Sequence, residues 1–377
     1  MKILFVLENY LPHIGGLEIM FKNLTEGLVS SGHNVTVVTH KIKGTESFEI
    51  INGVKIHRVN SFQSRYLFTF FSIPKVMKLS KSSDIIHATT FNAAFPAWLA
   101  STMSKKIAVL SVLEVWVGKW RIFTDMGLFN SIIHDFLERS IYLLKFDKYI
   151  CISKSTQNQL VNIGIEKSKS SVIYCGIDYA LWNPRKYSSV KLIKKLNLQN
   201  NYIYLFYGRP GISKGLQYLI QAVPKIHKEI PNSKLIAIVS RDKSYRKLYD
   251  SIIKMVKELC VEDYVKIINP VQYLELPKYI KAADCVVVPS LTEGFGFTAA
   301  ESCAMNVPIV ASNVSSIPEV VSGRYILVNP RSSEEIADGV ISCYKKKYLI
   351  AHPKKFSWDS SVKSYLKIYE GLVNENT

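Results

Sequence analysis

The feature that most constrains the fold of this chain is a regular alternation of short apolar segments and amphipathic helices. Residues Lys2–Leu7 and Asn34–Thr39 are predicted strands. Between them, Leu17–Ser31 carries apolar side chains at three- and four-residue spacing, and Gly32 ends the predicted helix. A strand, a helix and a second strand in this order form a βαβ unit, which requires parallel strands. The chain is therefore predicted to be an α/β protein with a parallel sheet.

The alternation runs through the whole chain in two sets, separated by a polar linker near 178–190. Further strands of the first set are predicted at 84–87, 107–113, 148–152 and 171–174. Those of the second set are predicted at 202–207, 234–239, 265–268, 284–289, 308–311 and 325–328, with helices at 216–229 and 244–260. A length of 377 residues fits two domains of this kind. Doubly wound sheets bind ligands at the carboxyl ends of their strands.

Charge is the unusual bulk property, because 48 Lys and Arg residues against 30 Asp and Glu residues give a net charge of +18. A lysine-rich solvated surface and an anionic partner explain this excess equally well. The six cysteines lack metal-ligand or disulfide spacing and are interpreted as core residues of a reduced compartment. The apolar start is too short for an export signal, and no apolar run is long enough to span a membrane. A cytoplasmic protein is therefore expected.

The segment Pro289–Glu301 carries the strongest functional signal. Here a predicted buried strand ends in a loop with Glu293 at its tip, followed by the run Gly294, Phe295, Gly296, Phe297 and Thr298 and then by a helix containing Glu301. Amide groups at a helix start can bind an anion, and glycine allows close approach of the backbone. Two carboxylates near such a loop suit the hydroxyl groups of a sugar and a ribose. Either glutamate alone would more simply be a surface residue.

A second glycine-rich turn, Tyr207–Gly215, follows the first strand of the second set. It carries Arg209 and Lys214 five residues apart, directly before a predicted helix. A guanidinium group and an ammonium group beside a helix start suit a diphosphate. They would stabilise the negative charge that grows on a leaving nucleotide when a glycosidic bond breaks. The simpler alternative is a pair of surface cations near a turn.

These motifs together resemble the retaining glycosyltransferases of family 4, over essentially the full length of the chain. The resemblance rests on the E-x7-E segment from Glu293 to Glu301, the turn with Arg209 and Lys214, and the Gly15-Gly16 loop. Further matches are 172–178, 283–290 and 317–321. The resemblance implies a GT-B fold of two facing Rossmann-like domains with a cleft between them. It places the acceptor-side domain at 1–185 with the C-terminal helix 357–377, and the nucleotide-sugar-binding domain at 186–356.

The resemblance also implies residue roles. Arg209 and Lys214 would bind the donor diphosphate, and Glu301 would bind the ribose. Glu293 and the amides of Gly294–Thr298 would hold the donor hexose and a phosphate, while Gly15 and Gly16 would close over the donor. Transfer would retain the anomeric configuration, with no metal ion and no cofactor; the sequence itself has no D-x-D pair or His/Cys cluster to ligate a metal.

Two positions depart from the family pattern. Leu113 stands where many relatives have a histidine, although Glu114 keeps the acidic place beside it and is the candidate acceptor contact. Ser315-Ser316 replaces a glycine pair before Ile317-Pro-Glu. The sequence therefore names no catalytic base.

Four functions are weighed. The first is transfer of a hexose to a glycan or lipid-linked acceptor. In that case the segment Ile50–Ser83, which is basic and rich in aromatic residues, would contact the anionic inner face of the cell membrane. The same segment equally fits a core helix. A soluble small-molecule acceptor and a GT-B-fold sugar-nucleotide epimerase are the alternatives. Nucleic-acid binding is supported by charge alone and is not expected.

Overall fold

The computed structural model describes residues 1–13, 15–242 and 245–375. They divide into two compact units. Unit 1 comprises 1–120, 127–176 and 356–375, and unit 2 comprises 121–126 and 177–355. Before its C-terminal segment, unit 1 thus ends at Gly176, whereas the predicted domain extends to 185. The short segment 121–126 groups with unit 2, which the sequence did not indicate.

Unit 1 is built on an eight-stranded sheet in the order β3-β4-β2-β1-β5-β6-β7-β8. All neighbouring strands are parallel except the β3–β4 pair. The strands are β1 Lys2–Val6, β2 Asn34–His40, β3 Phe48–Ile51, β4 Val54–Val59, β5 Ile85–Thr89, β6 Ile107–Val112, β7 Lys148–Cys151 and β8 Ser170–Val172. The central strands β1 and β5 are almost entirely buried, because helices cover both faces of a parallel sheet.

Eight helices of the described residues precede, separate or follow these strands along the chain, and the fifth of them lies mostly in the segment 121–126 that groups with unit 2. They are α1 Gly16–Ser30, α2 Arg65–Phe71, α3 Ile73–Ser80, α4 Ala94–Ser104, α5 Trp120–Phe123, α6 Leu128–Leu143, α7 Lys154–Asn162 and, at the end of the chain, α15 Trp358–Glu375. The segment Ile50–Ser83, for which a membrane contact and a core helix were weighed above, contains the end of β3, all of β4 and the two short helices α2 and α3. None of the described helices is both long and apolar enough to cross a membrane.

The C-terminal helix α15 packs against α1 in unit 1. Its tyrosines contact the central strands through His87 on β5, whose Nδ1 pairs with the hydroxyl of Tyr369 and whose Nε2 lies 2.8 Å from Ser111 Oγ. Burial lowers the pKa of His87 to about 3, so that the ring is neutral. The predicted tail residues 376 and 377 lie outside the described residues.

Unit 2 contains a seven-stranded sheet in the order β11-β10-β9-β12-β13-β14-β15, parallel except for the edge pair β14–β15. The strands are β9 Tyr202–Gly208, β10 Ser233–Val239, β11 Val265–Ile268, β12 Cys285–Val288, β13 Ile309–Ser312, β14 Gly323–Val328 and β15 Leu349–Ala351. The helices are α8 Val190–Leu196, α9 Leu216–Glu229, α10 Arg246–Glu258, α11 Leu276–Ala282, α12 Phe297–Ala304, α13 Ile317–Val320 and α14 Ser333–Tyr344. The predicted helix start at Ser244 lies outside the described residues.

Each sheet has a switch point where the strand order reverses. In unit 1 it lies between β1 and β5, and in unit 2 between β9 and β12. Connections leaving two such strands diverge to opposite sides of the sheet, which leaves room for a ligand at the carboxyl ends.

Of the six cysteines, Cys260 is exposed, so the interpretation of all six as core residues is wrong at that position.

Candidate active site

The loops that follow β9 and β12 meet at the switch point of unit 2. The Leu291 amide donates a 2.7 Å hydrogen bond to the Ser213 carbonyl, which joins the two loops. Gly215 has φ +67°, and a Cβ built there would lie 1.9 Å from the carbonyl oxygen of Pro289. Only glycine fits this close backbone approach. The two motifs singled out from the sequence are therefore held side by side.

Lys214 and Glu293 form an ion pair at this junction. Lys214 Nζ lies 2.6 Å from Glu293 Oε1, and Ser290 Oγ donates to the same oxygen at 2.8 Å. The backbone carbonyl of Glu293 accepts a 3.0 Å hydrogen bond from Ser316 Oγ. Glu293 is only 9% exposed, so its carboxylate is fixed inside the loop and is not the surface residue of the alternative interpretation. Ser316, at a position where the sequence departs from the family, supports the loop directly.

Helix α12 begins directly after this loop. Gly296 precedes it with φ +93°, a conformation that favours glycine. The Phe295 side chain is buried against Phe297, with ring centroids 5.1 Å apart. Any contact of Phe295 with a ligand would therefore be made by its backbone. The Thr298 carbonyl oxygen lies 3.1 Å from the Tyr207 hydroxyl, so the start of α12 lies against the end of β9.

Glu301 lies within α12, is buried and contacts the hydroxyls of two tyrosines. Its Oε2 accepts from the Tyr207 hydroxyl at 3.0 Å and its Oε1 from the Tyr273 hydroxyl at 3.3 Å. Burial raises the pKa of Glu301 to about 8, although the two hydrogen bonds oppose the shift. Tyr273 packs edge-on against Trp182, with centroids 5.6 Å apart. The sequence analysis missed both tyrosines; Tyr207 adjoins the Gly208-Arg209 motif, whereas nothing local marks Tyr273.

Arg209 occupies a different position from Lys214. Its side chain is exposed, and one guanidinium nitrogen donates to the Tyr245 hydroxyl at 3.2 Å. An exposed guanidinium group on a glycine-rich loop is of a type that binds anionic ligands. Arg209 and Lys214 thus share one loop but have different partners.

The predicted residues of unit 1 lie at the carboxyl edge of its sheet. Gly15 is the extended residue before α1, and Gly16 is its first residue; Ile14 lies outside the described residues. A Cβ on Gly15 would come within 2.6 Å of the carboxylate of Glu18, a buried residue paired with His13 at 3.1 Å. The glycine here makes room for a buried carboxylate.

Glu114 follows β6 and is half-buried. Its negative charge favours the charged form of Lys119, although burial has the larger effect and lowers the pKa of that lysine. Leu113, in the place of the family histidine, offers its carbonyl oxygen to Thr156 Oγ1 at 3.4 Å.

The switch point of unit 1 also carries a polar cluster that the sequence analysis missed. Glu8 follows β1, and its carboxylate accepts from Asn92 Nδ2 at 2.6 Å and lies 3.1 Å from Arg65 Nε. Asn92 follows β5, the strand adjacent to β1. The signal that could have identified this cluster is the position of polar residues directly after two central strands.

The next feature is the arrangement of side chains that could ligate a metal ion. Among the described residues, no group of three or more His, Cys, Asp or Glu side chains is arranged to hold a metal ion. The glycine-rich turn Tyr207–Gly215, which is predicted to bind the diphosphate, carries two cationic side chains, those of Arg209 and Lys214.

Comparisons with known proteins agree with this architecture. The sequence profile of the family described as "Glycosyltransferase Family 4" matches residues 14–181, and that of "Glycosyl transferases group 1" matches residues 189–357. An uncharacterised glycosyltransferase of Methanocaldococcus jannaschii is 30% identical, with 98% of each chain covered. The phosphatidylinositol N-acetylglucosaminyltransferase GPI3 subunit of Saccharomyces cerevisiae is 23% identical, covering 98% of this chain and 80% of the relative.

Two solved structures share the fold. The crystal structure of Anabaena HepE in complex with UDP and glucose superimposes with a TM-score of 0.80 at 19% identity, covering 98% of this chain and 99% of that one. Sucrose-phosphate synthase from Thermosynechococcus elongatus gives a TM-score of 0.78 at 19% identity, with both chains fully covered. Two Rossmann-like sheets in one chain, with these structural neighbours, define the GT-B class. The chain belongs to glycosyltransferase family 4, and its activity is that of a glycosyltransferase.

Proposed function

We propose that this enzyme transfers a hexose, with retention of anomeric configuration and without a metal ion, from a nucleotide-diphosphate sugar to a glycan or lipid-linked acceptor. Such a reaction belongs to the assembly of lipid-linked oligosaccharides, polysaccharides or protein-bound glycans. The observation that carries the proposal is the ion pair of Lys214 and Glu293 beside the start of α12. It brings a cation, a fixed carboxylate and helix amides to one switch point.

The donor side rests on three groups of unit 2. Lys214 and the amides at the start of α12 would hold the diphosphate, and Arg209 would turn from Tyr245 to join them. These charges would stabilise the leaving nucleotide as the glycosidic bond breaks. Glu301 would accept hydrogen bonds from the ribose, and Glu293 from the hexose. HepE, which shares this fold, was crystallised in complex with UDP and glucose, which supports a donor of this class.

The proposed class of acceptor is supported by the name of a relative. The name of the GPI3 subunit specifies transfer to phosphatidylinositol, a lipid, and this relative is aligned over 98% of the present chain. With a lipid-linked acceptor, we propose that the enzyme acts in the cytoplasm, at the inner face of the cell membrane. Glu114 and the cluster of Glu8, Asn92 and Arg65 would then contact the polar part of the acceptor. Gly15 and Gly16 would approach the donor, as the family resemblance implies.

A two-stage experiment tests the proposal. Thermal unfolding is first measured with UDP-, GDP- and ADP-sugars, because a ligand at 100 times its Kd adds about 2.7 kcal/mol of stability. The stabilising donor is then incubated with detergent-solubilised lipid extract, and the anomeric configuration of the product is determined by NMR. An inverted product would exclude retention. Exclusive transfer to water-soluble acceptors would favour a small-molecule acceptor, and conversion of the donor sugar without transfer would favour an epimerase.

A further inference from the structure

The outer faces of α2 and α6 form one exposed apolar surface in unit 1. We infer that this surface, the α2–α6 face, docks the enzyme on an anionic lipid bilayer. The inference rests on the proposed function in one respect, because a lipid-linked acceptor is what makes a membrane position useful. The face consists of Tyr66, Leu67, Phe70, Phe71, Phe129, Ile132, Ile133, Phe136 and Leu137, all exposed.

Helix α6 exposes large apolar side chains over most of its length, and only near its end are the apolar residues Ile141 and Tyr142 buried. Its buried residues include Ser131 and the carboxylate of Glu138, whereas Phe129 and Phe136 are 75% and 70% exposed. The exposed apolar residues recur at three- and four-residue spacing, which gives one continuous apolar stripe. A stripe of large side chains turned away from the core is typical of an element that binds a further apolar phase.

The polar groups of α6 are arranged to keep negative charge off this face. Glu138 points inward, where its carboxylate accepts hydrogen bonds of 2.8 Å from the Trp116 amide and from Trp120 Nε1. Asp135 pairs with Arg139 Nε at 2.7 Å and accepts from the Gly118 amide. Both carboxylates of the helix are therefore occupied by partners within unit 1.

Helix α2 extends the same surface. Phe68 alone of its aromatic residues is buried, whereas Phe70 is 63% exposed. Tyr66 joins the two helices, since its hydroxyl lies 3.1 Å from His134 Nε2 and the two rings pack edge-on. Both helices also pack on the short turn Phe91–Ala93. The two apolar faces are thus parts of one supported surface.

Exposed cations lie next to the helices of this surface in the chain. Arg65 begins α2, exposed Lys78 and Lys81 follow on and after α3, and Lys145 is exposed just beyond α6. The sequence from Asn52 to Ser83 contains no acidic residue. Aromatic and aliphatic side chains bordered by Lys and Arg are the pattern of interfacial helices that bind anionic lipids.

The charge also decides between a bilayer and a second copy of the chain. Two copies meeting through this face would bring together like charges from chains of net charge +18, which repel. An anionic bilayer attracts the same cations and accepts the apolar side chains. The face further adjoins the switch point of unit 1, because Arg65 of α2 pairs with Glu8. A lipid-held acceptor would therefore reach that edge of the sheet.

The test is flotation of the full chain with vesicles of phosphatidylcholine alone and of equimolar phosphatidylcholine and phosphatidylglycerol. The variant F129S/F136S removes two aromatic side chains from the face. The matched control L274S/I350S removes two apolar side chains of similar exposure, 66% and 77%, from unit 2. We expect binding to the anionic vesicles only, about tenfold or more weaker for F129S/F136S, since each exposed ring contributes transfer free energy on insertion. The control should bind like the wild type.

Circular dichroism and sedimentation velocity accompany each variant. Absence of wild-type binding, or equal binding by F129S/F136S and the control, would overturn the inference. So would a wild-type dimer that becomes monomeric in F129S/F136S while vesicle binding is unchanged, because the face would then be a contact between copies. Transfer to detergent-solubilised lipid separates the two proposals. Transfer without vesicle binding removes only the docking surface, and vesicle binding without any transfer removes only the proposed function.

Discussion

The Tyr207 hydroxyl donates a 3.0 Å hydrogen bond to Oε2 of Glu301, connecting the end of β9 with helix α12. The contact is buried, so the carboxyl group exchanges its hydration for tyrosine hydroxyls. The two hydroxyls replace only part of the hydration free energy that a charged carboxylate loses on burial. The pKa of Glu301 therefore rises to about 8. In the ligand-free enzyme this residue is therefore largely neutral at pH 7.

A neutral Glu301 predicts a specific pH dependence of stability. Between the ordinary pKa of 4.5 and the folded value of about 8, the unfolded state loses this proton while the folded state keeps it. The free energy of unfolding should thus fall with rising pH in that window, by at most about 1.4 kcal/mol per pH unit from this residue. Glu301→Gln cannot ionise and should lack this contribution. Denaturant unfolding of both proteins at pH 5, 7 and 9 measures the difference, and parallel profiles would contradict the assignment.

Lys214→Ala and Arg209→Ala should reduce transfer far more than stability. Each removes a cation that would stabilise the leaving diphosphate, and by analogy with deleting an oxyanion donor the loss in kcat/KM should correspond to about 2–4 kcal/mol. Lys225→Ala is a matched control, because Lys225 pairs with Asp338 at 2.6 Å on the surface of the same unit. Its kcat/KM should be unchanged. Normal kinetics in both active-site variants would place the diphosphate elsewhere.

Loss of Lys214 also leaves the buried Glu293 carboxylate without its cation. Some destabilisation of Lys214→Ala is therefore expected, and Lys214→Ala/Glu293→Gln should recover stability without recovering transfer. Thermal unfolding beside kcat/KM separates these two effects. Recovery of transfer in the double variant would show that Lys214 acts only through Glu293.

Transfer should survive treatment with EDTA. The cations Lys214 and Arg209 and the amides at the start of α12 would neutralise the diphosphate themselves. Initial rates are compared before and after chelation and again after addition of excess Mn²⁺ or Mg²⁺. A rate that disappears with EDTA and returns with either metal would refute a metal-independent mechanism.

The attachment of α15 to unit 1 depends on two glycines that permit close packing. A Cβ on Gly27 would lie 2.6 Å from Val362, and one on Gly176 would lie 2.5 Å from the ring of Trp358. Gly27→Ala and Gly176→Ala should each destabilise the protein by about 1–3 kcal/mol through overpacking. Gly371→Ala is the control, since open space surrounds Gly371 in the same helix and alanine should add about 0.5–1 kcal/mol there. Destabilisation by all three variants in thermal unfolding would contradict this packing.

Apolar runs separated by amphipathic helices predicted two α/β domains with parallel sheets and most strand positions, whereas the GT-B fold was implied by the resemblance to glycosyltransferase family 4. The bounds of Leu216–Glu229 and Val265–Ile268 were predicted without error. Neither the hairpin of β3 and β4 nor the antiparallel edge strand β15 was predicted; their strands are short and partly exposed. Within the site, Lys214 and Glu293 come together because they follow β9 and β12, which are neighbours in the sheet. Tyr273 could not be found, since its contact with Glu301 joins residues 28 positions apart and depends on tertiary structure alone.

The lysines on and after α3 should contribute to membrane binding in a position-dependent manner. Lys75, Lys78 and Lys81 lie on and directly after α3, the helix that follows α2 of the α2–α6 face, whereas Lys191, Lys194 and Lys195 lie on α8 of unit 2. Replacing either set with Gln removes the same formal charge, so long-range attraction changes equally. Only the first set lies near a docked bilayer, where each cation contributes about 1 kcal/mol. We therefore expect vesicle pelleting to weaken strongly for the α3 variant and only slightly for the α8 variant, with nucleotide-sugar binding unchanged in the α3 variant. Salt at about 0.5–1 M should release the wild type from anionic vesicles, because exposed charges are then screened within a few ångströms. Equal weakening by both variants would mean that net charge alone, and not this surface, directs the enzyme to the membrane.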